Sequence, residues 1–134
     1  MDNKFYNLEL EKGFINSILE SPELIDDVIE KVSTEDFYKE IHKDMFKHMQ
    51  KHYFENGKIS KVKLMRFSTN KYGQEKTEEV LESKYFIPME IEDIVEELNQ
   101  YKFKRKIKKS LKKSYDYLKS EKLGINEKKS KIQD

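Results

Sequence analysis

Residues 89–122 read MEIEDIVEELNQYKFKRKIKKSLKKSYDYLKSEK, thirty-four positions without a Gly or a Pro. Within them Ile91, Ile94, Val95, Leu98, Tyr101, Ile107, Leu111, Tyr115 and Leu118 continue at intervals compatible with a helix. A helix over this stretch would be about 50 Å long at the helical rise per residue, more than the width of so small a domain. Part of it must therefore project. Gly124 is the first breaker after it, and Asn126 can cap a second helix running back through Ile132. The expected architecture is all-α: a compact helical bundle followed by a long projecting helix that starts a helical hairpin. Pro88 marks the boundary, giving a bundle subdomain over residues 1–87 and a long-helix and short-hairpin subdomain over residues 88–134.

The bundle is assembled from shorter amphipathic pieces. Phe14, Ile15, Ile18 and Leu19 share a face of a helix running from Leu8 to Leu19. Ser21-Pro22-Glu23 restarts the chain, with Ser21 as a cap, Pro22 at the first helical position and Glu23 near the positive helix end. Leu24, Ile25, Val28, Ile29 and Val32 continue the apolar stripe. Ser33 and Asp36 stand at capping-box spacing and predict a third helix start. Its stripe is Ile41, Met45, Phe46, Met49 and Tyr53, and Asn56-Gly57 closes it as a left-handed cap would. A weaker helix is expected over Ser60–Phe67, a polar loop over Ser68–Gln74, and a short helix over Glu75–Ser83 with Val80 and Leu81 inward. No alternating strand pattern competes, and no internal repeat is visible.

The 134 residues are 40% charged and 36% hydrophobic, with no Cys, no Trp and no Ala. A single small core is within reach of this composition. Without cysteine, disulfides, thiolate metal sites and thiol nucleophiles are excluded. No apolar run is long enough for a membrane span, and the opening Met1-Asp2-Asn3-Lys4 lacks a signal-peptide core. The expectation is an intracellular, cytoplasmic protein. Its net charge of +1 conceals an asymmetry: residues 1–100 hold 14 Lys and Arg against 22 Asp and Glu, whereas residues 101–134 hold 13 against 4. An acidic body and a basic tail offer different surfaces to partners.

Catalytic motifs are missing. The sequence has no GxxxxGK[ST] or GxGxxG phosphate loop, no nucleophile elbow and no HExxH. Asp44, His48 and His52 fall at i, i+4, i+8 on one helix face, a spacing that can ligate zinc or iron. Opposite the buried Ile41, Met45 and Met49, they read first as a solvated polar face. The acidic pairs Asp26-Asp27, Glu78-Glu79, Glu92-Asp93 and Glu96-Glu97 likewise read as outward helix faces rather than acid–base sites. No metal, no cofactor and no enzymatic activity are expected of this segment.

The basic run Lys102, Lys104, Arg105, Lys106, Lys108, Lys109, Lys112 and Lys113 interleaves with Tyr101, Phe103, Ile107, Leu111 and Tyr115. Such a helix can dock on an acidic protein surface, charge steering the encounter and apolar anchors holding it. It can also be a plain solvated face, or lie along phosphates with a salt-dependent affinity. Docking is the leading reading, because a charge run alone does not specify phosphate. Tyr101, Lys104, Arg105, Lys108, Leu111, Tyr115 and Leu118 are the expected anchors and steering charges.

Three segments carry a resemblance: EKGFINSILESPEL at residues 11–24, VSTEDFY at residues 32–38, and HKDMF at residues 42–46. They resemble the small helical domain that links bacterial replicative helicase and primase. This domain occurs as the N-terminal domain of DnaB-type helicases and as the C-terminal helicase-binding domain of DnaG-type primases. Residues 90–98, EIEDIVEEL, with Arg105-Lys106-Ile107-Lys108, resemble the start of the primase hairpin, and Leu123-Gly124-Ile125-Asn126-Glu127 resembles its turn. A Gly-Gly…Tyr-Leu segment usual in the helicase relatives is missing from residues 73–86, so the primase type leads and the helicase type is the alternative. Two features depart from the primase pattern. The second hairpin helix is short, and Met1 suits a native N-terminus. The primase resemblance implies a non-catalytic primosome module that binds the replicative helicase and couples primer synthesis to unwinding. The helicase resemblance implies a collar domain that oligomerises and binds primase, with a homodimer through the hairpin. Nucleic acid is a secondary partner in either case, and no membrane is involved.

Overall fold

Asn7 starts the first helix. Its side-chain oxygen accepts from the Leu10 N–H at 3.1 Å, satisfying one of the amides that a helix leaves unpaired at its start. The computed structural model describes the backbone of residues 4–82 and 89–133, and the side chains of residues 4–82 and 89–122. Every regular element among these residues is helical: α1 (Leu8–Glu20), α2 (Ile25–Val28), α3 (Glu40–Asn56), α4 (Lys61–Tyr72), α5 (Gln74–Leu81) and α6 (Ile91–Gln133), with 3-10 turns at Pro22–Leu24 and Thr34–Asp36. The expected all-α architecture is the one observed.

The chain divides into two compact units, Met1–Lys102 and Phe103–Asp134. In the first, α1 packs on α3 and α5, α3 on α4, and α4 on α5. The centre of the core is aromatic: Phe14, Phe37 and Phe46 are fully buried, with ring centroids 5.2–5.7 Å apart in tilted contacts. Ile15, Ile18, Ile25, Val28, Met45, Met49, Leu64, Val80, Ile94 and Leu98 close around them. The second unit is the remainder of α6. The boundary expected at Pro88 lies outside the described residues.

Several local expectations change. Ser21 makes no side-chain cap, and Pro22 opens a 3-10 turn that leads into the single turn of α2. Two short turns suffice there because Ile25, Val28 and Val32 already reach the core. Ser33 and Asp36 do pair, the Ser33 N–H donating to Asp36 Oδ2 at 2.8 Å, but they close the 3-10 turn rather than starting α3. The long helix begins at Glu40. It ends as expected, with Gly57 at φ +72° and its N–H bonded to the Tyr53 carbonyl.

The polar loop expected over Ser68–Gln74 is not formed. Helix α4 continues to Tyr72, and Gly73 alone, at φ +94°, separates it from α5. Its polar residues are absorbed by packing: Ser68 and Thr77 are buried and share a 2.7 Å hydroxyl hydrogen bond between the two helices. The turn expected at Leu123–Glu127 is also absent, and α6 runs without interruption to Gln133. A lone glycine costs a helix only about 1 kcal/mol relative to alanine, and the Lys- and Glu-rich neighbours of Gly124 favour helix. One breaker does not make a hairpin.

Glu11 of α1 carries an almost fully enclosed carboxylate, with 1% of the residue's surface exposed. Its Oε2 accepts from the Tyr38 N–H at 2.9 Å, and its Oε1 from the Lys39 N–H at 3.3 Å and from His42 Nδ1 at 2.8 Å. The carboxylate thus takes up amides at the start of α3 and fixes the His42 ring. Glu11→Ala should lower unfolding stability by about 3 kcal/mol, since three donors, the buried His42 ring among them, lose their acceptor. Glu11→Gln, which keeps one acceptor oxygen, should lose roughly half of that. Urea titration followed by circular dichroism measures both.

Candidate protein-docking surface

On α6, the residues from Phe103 to Lys122 form an amphipathic helix in their own right. Phe103, Ile107, Leu111, Tyr115 and Leu118 lie within an arc of about 120° on a helical projection. Arg105, Lys106, Lys109, Lys112 and Lys113 centre on the opposite side. Phe103, Leu111, Tyr115 and Leu118 are 64–66% exposed and Ile107 is 42% exposed. An apolar stripe this open makes this part of α6 a candidate contact surface.

The seven residues expected as contacts do not all share this setting. Lys104, Lys108, Leu111, Tyr115 and Leu118 are exposed, with Lys104 inside the arc of the stripe and Lys108 at its edge. Arg105 is half-buried and lies toward the basic side. Tyr101 belongs to the first unit, where it packs against the core. Phe103 and Ile107 were not among the expected contacts, although their spacing to Leu111 in steps of four marks them as the start of the stripe.

The start of α6 is held by a buried carboxylate. Asp36 is fully enclosed, and it accepts from Ser33, from Asn99 Nδ2 at 2.8 Å and from Lys102 Nζ at 3.4 Å. Asn99 also donates to the Lys31 carbonyl at 3.3 Å. These bonds join the chain before α3 to the last two turns of α6 that belong to the first unit. Only the local pairing of Asp36 with Ser33 is visible in the sequence.

Asp44, His48 and His52 do not converge. Asp44 is bonded to Lys71 at 2.7 Å and to the Tyr72 hydroxyl. Those bonds hold its carboxyl below the usual range, while burial and the same contact push the Tyr72 hydroxyl up to about 12. His48 stacks on Phe67 with centroids 4.7 Å apart, and His52 Nδ1 meets the Lys58 carbonyl at 3.1 Å. No group of three potential ligands able to hold a metal occurs among the described residues. The pairs Asp26-Asp27, Glu78-Glu79 and Glu92-Asp93 are exposed, as is Glu96, with Glu97 half-exposed. No helix among the described residues is long and apolar enough to cross a membrane.

The bundle also carries a family signature. The family model described as DnaB-like helicase N-terminal domain matches residues 3–89, and the chain belongs to that family. The match thus falls on the helicase relative, which the sequence resemblance had placed second, and gives no specific support to the primase type. Neither a curated protein nor a solved structure matches the chain at a significant level. Family membership makes this a helicase-associated domain of DNA replication without catalytic activity of its own.

Burial lowers the basicity of His48, with the neighbouring His52 and Lys51 adding to the effect. A histidine that protonates less readily when folded contributes stability above its ordinary pKa of 6.5, and that contribution is lost as pH falls through the folded value. The thermal midpoint should therefore fall between pH 7.5 and 5.5. His48→Phe, which keeps the stack on Phe67, should shrink that fall in a differential scanning fluorimetry series.

Proposed function

We propose that this chain is the assembly domain of a DnaB-type replicative helicase, working by surface contact rather than by bond chemistry. The stripe from Phe103 to Leu118 is the contact on which a partner closes. The exposed apolar stripe beyond the family-matched bundle is the observation that carries this reading, because a solvated helix has no need of five apolar residues on one side. Leu111, Tyr115 and Leu118, with Phe103 and Ile107, are the anchors. Lys104, Arg105 and Lys108 steer the approach of an acidic surface, and Tyr101 seats the base of the helix. The partners are other subunits of the helicase and the primase that it recruits.

Calorimetric titration of the full chain against primase and against replicative helicase from the same source tests this. Saturable primase binding, or mixed assembly with helicase subunits, is the expected result. Leu111→Asp with Leu118→Asp should weaken it by tenfold or more, an effect on the order of 1.4 kcal/mol. Lys104→Ala with Lys108→Ala should chiefly slow association and flatten its salt dependence. Stoichiometric capture of a preassembled helicase ring without primase binding would return the assignment to the primase type. Silence from both baits would remove the docking role.

A further inference from the structure

The acidic body contains a basic island. Residues 47–71 hold seven Lys and Arg against a single Glu, the reverse of the balance in the rest of residues 1–100. The island has a regular axis. Lys43, Lys47, Lys51, Phe54 and Lys58 follow one another at steps of four, four, three and four along the outward side of α3 and its Gly57 cap. Lys47, Lys51 and Lys58 are exposed, and no carboxylate lies within ion-pair distance of them among the described residues. Lys43 pairs with Glu40 at 3.5 Å. Of the nearby acids, Asp44 is engaged by Lys71 and Tyr72 and also feels the charge of Lys47, Asp26 is bonded to the Tyr53 hydroxyl, and Glu55 stands beside Phe54. Phe54, between Lys51 and Lys58, is 71% exposed, and its ring meets Tyr53 edge-on. Lys61, Lys63 and Arg66 of α4 are exposed as well and raise the local potential.

We propose that this face of α3 binds single-stranded DNA. Lysines one helical step of four apart are about 6 Å apart along the axis, a spacing that lets successive ammonium groups track successive phosphates of an extended strand. An aromatic ring left open within a row of cations supplies what an acidic protein surface does not require, a platform for a base. Membership in a helicase family makes single-stranded DNA the polyanion at hand. This face shares no residue with the apolar stripe of α6, so substitutions test the two roles independently.

The test is fluorescence anisotropy of the full chain with a labelled 20-nucleotide oligothymidine across a salt series. Lys47→Glu with Lys51→Glu should weaken binding at least tenfold at low salt. It should also reduce the slope of log affinity against log salt by about 1.4, or roughly 0.7 per phosphate contact. Phe54→Ala should weaken binding by about fivefold or more with the slope unchanged. Lys109→Glu with Lys112→Glu, the same charge reversal on α6, should leave affinity within about twofold. All these side chains are exposed, and a thermal melt checks that each variant folds. Absence of saturable binding would overturn the proposal, as would loss through the α6 reversal alone. Equal binding of polyglutamate, with Phe54→Ala inert toward both ligands, would make the face a site for acidic protein and overturn it too.

Discussion

Burying a carboxylate is costly unless donors surround it, and the first unit is organised around one that meets this condition. Glu11 sits one turn before Phe14, so the helix that delivers the carboxylate also delivers the first ring of the aromatic core. Its three acceptor contacts fall on Tyr38, Lys39 and His42, which flank the point where the chain enters α3. Placing Glu11 therefore sets the register of α3 against α1, and that register puts Phe37 and Phe46 beside Phe14. A residue of the wrong length at position 11 would misplace a helix start, not only lose a bond. The charged group makes one packing arrangement far cheaper than its neighbours, where a purely apolar contact would tolerate sliding.

Asp36 performs a related task between segments far apart in sequence. Through Asn99 and Lys102 it holds the part of α6 that lies in the first unit, while Ile94, Val95 and Leu98 bury the apolar side of the same turns. Asn16 adds a third tie, donating to the Val80 carbonyl at 2.8 Å and so fixing the end of α5 to α1. Polar contacts thus select the arrangement and the apolar core supplies most of its stability.

Local chemistry was legible in the sequence and long-range chemistry was not. The extent of α1, the glycine cap of α3 and the Ser33–Asp36 pairing follow from periodicity and from side chains acting within four residues. The extension of α4 was hidden because Ser68 reads as a polar breaker until Thr77 is placed beside it. Gly124 misled in the opposite direction, since breaker logic counts a glycine without weighing the strong helix formers around it. At the candidate docking surface, the run of lysines draws attention to charge, and Phe103 and Ile107, although visible as interleaved apolar residues, stay outside the expected contacts. Tyr101 looked like one more member of the series. Only the burial of Leu98 and the pairing of Lys102 show that the bundle's own seam ends there. The choice between helicase and primase relatives turned on residues 3–89, where the family model matches, rather than on the hairpin whose turn the chain does not make.

The part of α6 beyond Lys102 raises a question of stability that bears on its role. Most helices in proteins gain their stability from packing one apolar side rather than from intrinsic propensity. This segment has no alanine and carries like charges at close spacing, both of which lower its intrinsic helicity. Its five apolar side chains are open to solvent within their own unit, so the segment bears the exposure without the gain. A partner that covers the stripe would supply the missing packing and neutralise part of the opposing charge if its surface is acidic. Binding and full stabilisation of the helix are then one event, coupled by mass action, and the helix should be most ordered when the assembly is complete.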